Sequence, residues 1–195
     1  MVNQQLKELL FDINTPSRIN RNKAANIVWD NPILFNDLIN MVFEVDNKQS
    51  VKAAWVLERI CIDKGLTILL PYIDFFTQHI AELHFDSAVR SCAKICEQMA
   101  IAYTSEQTNE VKNKLKQTHI ETIVETGFDW LITPQKTAVK AYTMQTLYLF
   151  GLQKSWIHPE LEYLISTQVI HQSKGCTARG KKILHLITKQ QKKSF

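Results

Sequence analysis

Glycine and proline are scarce, with five of each in 195 residues, about 5% together against a usual ~12%. So little turn-forming material excludes a loop-rich β sandwich, a collagen-like repeat and a disordered chain. Cysteine is scarce as well. Four residues do not make a disulfide scaffold, and without a secretion signal the expected setting is a reducing cytoplasm. The opening Met1-Val2-Asn3-Gln4-Gln5 lacks the basic and then apolar run of a signal peptide. No uncharged apolar run approaches the ~18 residues of a membrane span, so no membrane partner is expected. GxGxxG, GxxxxGK[ST] and GxSxG are all missing, which disfavours nucleotide-dependent catalysis and a serine elbow. What remains, 45% hydrophobic and 22% charged, is ordinary globular material, long enough to bury a sizeable core.

That material has helical spacing. Leu6, Leu9, Leu10 and Ile13 form one stripe, and Leu34, Leu38, Ile39, Val42 and Phe43 another. These are i, i+3, i+4, i+7 patterns. Thr15-Pro16-Ser17, Asn31-Pro32, Thr133-Pro134 and His158-Pro159 read as helix starts, and Gly65, Gly151 and Gly175 as ends or turns. No strand-like alternation occurs. The spacing predicts ten helices, near 2–13, 17–30, 32–44, 48–63, 66–82, 86–103, 117–132, 135–152, 159–171 and 177–190. The polar stretch Thr104–Lys116 reads as an insert, a loop or a short extra helix.

A short motif recurs near the start of every second helix. It runs Lys23-Ala24-Ala25, Val51-Lys52-Ala53-Ala54, Val89-Arg90-Ser91-Cys92-Ala93, Val139-Lys140-Ala141 and Ala178-Arg179-Gly180. The bases step by 29, 38, 50 and 39 residues, spacings that suit two-helix repeats. The long third step contains the insert. Small residues after the base allow helices of neighbouring repeats to approach closely, and stacked pairs bury apolar faces that no pair buries alone.

The Asp86-Ser-Ala-Val89-Arg90-Ser-Cys-Ala93 stretch resembles the second helix of a HEAT repeat. With Lys52-Ala-Ala-Trp-Val-Leu57, His84-Phe-Asp-Ser-Ala-Val-Arg90 and Phe128-Asp-Trp-Leu-Ile132, the whole chain resembles a group of small bacterial HEAT-like helical-repeat proteins. The resemblance implies an all-α, right-handed α-α superhelix of about five helix pairs. It would form a single domain over 1–195, with the insert at 104–116 and a basic tail at 191–195. Some of that group bear the name adenylosuccinate lyase, but this chain has no Ser-Ser-x-Met-Pro motif to support lyase chemistry. More distantly it resembles HEAT-like glycosylases of alkylated DNA, which need an aspartate and tryptophans in one groove. Trp29-Asp30 and Asp129-Trp130 are the adjacent pairs here, with Trp55 and Trp156 beside them in the count, and they do not match that family's context.

The bases Lys23, Lys52, Arg90, Lys140 and Arg179 are the candidate site. They form either a binding ridge or a ladder of ion pairs between repeats, for which Asp46 and Asp86 stand a few residues upstream. Charge is also uneven along the chain. Residues 1–46 carry 4 bases and 6 acids, whereas 151–195 carry 8 bases and 2 acids. Lys181, Lys182, Lys189, Lys192 and Lys193 form a C-terminal basic cluster suited to an acidic or phosphate-rich partner. Cys92 and Cys96 read as small residues on a buried stripe, the six histidines as surface or loop residues, and the four tryptophans as core. No catalytic residue, metal or cofactor is assigned. The expected role is a non-catalytic scaffold that binds a macromolecule, a protein ahead of a nucleic acid. A nucleic-acid-binding solenoid, glycosylase-like or not, is the alternative.

Overall fold

In the computed structural model, which describes residues 3–13 and 17–192, the described residues hold eleven α-helices, three 3-10 turns and no strand. Helix α1 (Gln4–Phe11) starts where the Asn3 side chain accepts from the Gln5 amide at 2.9 Å, and buries Leu6 and Leu10. Helix α2 (Arg18–Asp30) starts at Ser17, whose hydroxyl accepts from the Asn20 amide at 3.3 Å. Each cap satisfies an amide that has no partner inside its helix. The Thr15-Pro16 part of the expected α2 start lies outside the described residues. Helix α3 (Ile33–Val42) follows Pro32 and buries Leu34, Phe35, Leu38 and Ile39. Helix α4 (Gln49–Asp63) ends at Gly65, whose φ of 104° is the left-handed conformation that favours glycine after a helix.

The expected helix over 66–82 is broken. A 3-10 turn (Leu70–Tyr72), helix α5 (Ile73–His79) and a second turn (Ile80–Glu82) take its place. Pro71 has no amide hydrogen to donate, so a regular helix cannot run through it from the preceding turn. Helix α6 (Asp86–Thr104) is continuous. The 104–116 insert contains a short helix, α7 (Glu110–Lys114), capped by Asn109. Asn109 also donates to the Ala102 carbonyl at 2.8 Å, which ties the insert to the last turn of α6.

Helices α8 (Gln117–Ile132), α9 (Thr137–Gly151), α10 (Ile157–Thr167) and α11 (Lys174–Gln191) complete the chain, with a 3-10 turn at Val169–His171. Helix α11 begins three residues before the expected 177, because the Ser173 hydroxyl accepts from the Cys176 amide at 3.1 Å. Gly175 therefore lies inside a helix rather than at its boundary.

The chain divides into two compact units, 1–95 and 96–195, and the division falls inside α6. In the first unit α2 packs on α4, and α3 on both α2 and α4. In the second, α9 packs on α8, α10 and α11. The repeated motif falls on α2, α4, α6, α9 and α11. Its small residues Ala24, Ala25, Ala53, Ala54, Ser91 and Gly180 are buried. Gly180 shows the reason for the small size. A Cβ there would lie 2.7 Å from Ile170 Cγ2 and 2.9 Å from Ile165 Cγ2.

Candidate functional site

The five motif bases occupy different environments. Lys23 on α2 is exposed, and Lys52 on α4 is half-buried, with its ammonium 3.4 Å from the Phe11 carbonyl oxygen and 5.9 Å from the Phe11 ring centre. Arg90 on α6 pairs with Glu58 of α4, and Ser91 donates to the same carboxylate oxygen at 2.7 Å. Glu58 is only 5% exposed. A carboxylate so deep needs those donors, because burying an unpaired charge is costly. In the second unit Lys140 is 2% exposed and donates to the Leu131 carbonyl at 2.8 Å. That carbonyl belongs to the last turn of α8, where the helix has no donor of its own and a cation is favoured. Burial lowers the Lys140 pKa, and the nearby Cys176 thiol opposes the shift. Arg179 donates to the Gln145 side-chain oxygen at 3.1 Å and lies 4.0 Å from the Glu97 carboxylate.

Asp46, one of the two acids suggested by the sequence, does not meet these bases in the contacts given above. Asp46 instead faces His84 at 3.9 Å, with its own side chain almost fully exposed. The carboxylates that meet Arg90 and Arg179 are Glu58 and Glu97, from helices 30 and more residues upstream. The available signal was an acid inside an apolar stripe: Glu58 sits among Val56, Leu57, Ile60 and Cys61, all buried, and such a residue requires a partner.

Two further arginines join Glu58. Arg59 donates from Nε to the Asn22 side-chain oxygen at 2.9 Å and pairs with Asp63. Arg21 lies over the half-buried Trp55, its guanidinium carbon 5.8 Å from the ring centre. Its pKa is lowered, first by burial and then, against the attraction of Glu58, by Arg90, Arg59 and Arg18. In the C-terminal cluster Lys181, Lys182, Lys189 and Lys192 are exposed, and Lys193 lies outside the described residues.

Several smaller expectations need correction. His119 and His158 are buried rather than on the surface. The His119 Nδ1 lies 3.1 Å from the Lys116 amide at the start of α8, and the His158 Nε2 lies 2.9 Å from the Tyr148 carbonyl oxygen. Trp156 is half exposed and stacks on Phe128 at 5.8 Å, so it is not core. Asp129 is exposed while its neighbour Trp130 is buried, so this pair does not share one open face. All four cysteines are buried and none is in a disulfide. Among the described residues no group of three or more His, Cys, Asp or Glu could hold a metal ion, and no helix is long and apolar enough to cross a membrane. Set against protein-family models, curated proteins and solved structures, the chain matches none.

Proposed function

We propose that the chain is a HEAT-like helical-repeat scaffold of about five helix pairs, without catalytic chemistry, that binds a macromolecular partner, a protein ahead of a nucleic acid. The observation that carries this reading is the engagement of the motif bases. Arg90 meets a buried carboxylate, Lys140 a helix-terminal carbonyl, and Arg179 an amide oxygen and a carboxylate. A cation already satisfied inside the protein contributes little to a phosphate-tracking ridge, because such a ridge works by exchanging free cations for condensed counterions. The Arg90–Glu58 and Arg179–Gln145 ties run from one motif helix to another, and such ties suit a ladder that holds neighbouring repeats in register. The right-handed superhelix rests on the repeat spacing and the small residues after each base.

The test is fluorescence polarisation with labelled duplex and single-stranded DNA at low and at physiological salt. The reading expects no tight binding at physiological salt, and any weak low-salt binding to be unchanged in Arg90→Gln and Lys140→Gln. Tight binding that falls steeply with salt and is lost in those variants would overturn it in favour of a nucleic-acid-binding solenoid.

A further inference from the structure

We propose that the arginine cluster of α2, α4 and α6 is a binding site for the carboxylate of an acidic peptide segment on a partner protein, with Arg21 as the residue that engages it. This rests on the scaffold reading and names the chemistry of its partner. Three guanidiniums, Arg21, Arg59 and Arg90, gather here around two carboxylates, Glu58 and Asp63. Two of the three are committed. Arg59 holds Asp63 and Asn22, and Arg90 holds Glu58. Arg21 is different. Its Nε lies 3.4 Å from the Ser17 carbonyl oxygen, and its two terminal nitrogens have no hydrogen-bond partner among the described residues. Positive charge is therefore left over here, with Arg18 adding to it, and Arg21 is the arginine of the three whose donor fork is open.

The surroundings select the ligand. A guanidinium fork matches a planar carboxylate through two parallel hydrogen bonds. A phosphate group, with a charge of about −1.5 to −2, would be repelled by the buried Glu58 more strongly than a singly charged carboxylate is. Trp55, half-buried under Arg21, offers an aromatic wall to the methylene stem of a glutamate, and tryptophan and arginine together are the residues that dominate protein interfaces.

The experiment is a polarisation titration of the full chain into a fluorescein-labelled six-residue glutamate peptide, with a phosphoserine peptide of the same length and duplex DNA as competitors. Thermal melting of each variant checks that it is folded. Arg21→Gln is expected to weaken glutamate-peptide binding at least tenfold. Arg21→Lys, which keeps the charge and loses the fork, is expected to weaken it at least threefold. Lys114→Gln, which removes one charge from an exposed site in the other unit, is expected to bind as the wild type does. Equal binding by Arg21→Gln, or displacement by the phosphoserine peptide at lower concentration than by unlabelled glutamate peptide, would overturn the site. Absence of any peptide binding to the wild type would overturn it while leaving the scaffold reading standing. Tight DNA binding that Arg21→Gln abolishes would overturn both.

Discussion

Glu58 is the residue on which the first unit's polar interior turns. Its carboxylate is buried and accepts from Arg90 and Ser91 while Arg21 and Arg59 stand nearby. Removing one member of a buried ion pair typically costs ~3–5 kcal/mol, because the other charge is left uncompensated. Arg90 keeps 27% of its side chain exposed, so water absorbs part of that penalty. Glu58→Ala is therefore expected to lower stability by about 3 kcal/mol, and Glu58→Gln by less, measured from urea midpoints. Equal midpoints for Glu58→Ala and the wild type would refute the Arg90–Glu58 contact. Lys140 gives a pH signature. Its pKa is lowered by burial, so between that value and the ordinary lysine value the unfolded chain binds more protons than the folded one. Stability then rises with pH through this interval, and the destabilising part is fully present below it. Lys140→Met should abolish that rise while losing the bond to Leu131, so wild-type stability minus variant stability, from urea midpoints, should increase as the pH is raised toward the ordinary lysine value. Parallel curves would sink the assignment. Neither residue's role was legible from the chain. Lys52 and Lys140 occupy matching places in the motif, yet one is half-buried against Phe11 and the other fully buried. That difference arises from which carbonyl the neighbouring helix presents, and the motif carries no trace of it.

At the scale of elements the sequence was more informative. Apolar stripes placed α1 to α4, α6, α8 and α9 within a few residues, because each stripe is long. The failures are short-range. Pro71 breaks the 66–82 segment into turns around α5, and Ser173 starts α11 early. Both effects depend on one residue and are diluted in a periodicity window. The motif's small residues make the sharpest element-level prediction. Alanine is favoured over glycine inside a helix by ~1 kcal/mol, so Gly180→Ala would stabilise an exposed α11. Here the added methyl would lie within 3 Å of Ile165 and Ile170, and overpacking typically costs ~1–3 kcal/mol. Gly180→Ala is thus expected to lower the melting temperature, whereas an unchanged or raised value would show that α10 and α11 do not approach as closely as described. Cys92 and Cys96 were readable as buried stripe residues on α6, and both are buried. Burial pushes the Cys96 thiol up to about 12, and Cys61 is raised too. Since the thiolate is the reactive form, the native protein should resist a thiol reagent at pH 8 and expose its four cysteines only in denaturant. Rapid labelling of the folded protein would contradict this.

For the whole molecule, the motif with its bases at 23, 52, 90, 140 and 179 suggested a repeat, whereas nothing in it pointed to the division of the chain into two compact units. The reason is that the division carries no linker. It falls between Ile95 and Cys96, inside a helix with no glycine, no proline and no polar break at that point. Ala88, Val89, Cys92, Ala93 and Ile95 before it, and Cys96, Met99 and Ala100 after it, are all buried. Sequence criteria for a boundary look for flexible, polar segments, so a boundary within a regular apolar helix escapes them. The same feature makes α6 a structural dependency. Cutting the chain at 95/96 removes the helical hydrogen bonds that cross the cut and leaves two pieces of about ten residues, below the ~12–15 at which isolated helices begin to hold in water. Each piece would also carry apolar side chains that the intact protein keeps from solvent. Fragments 1–95 and 96–195 are therefore each expected to lose cooperative thermal unfolding by far-UV circular dichroism, and the full chain to retain it. A fragment that melts cooperatively at the full-length temperature would show that its unit folds without the shared helix.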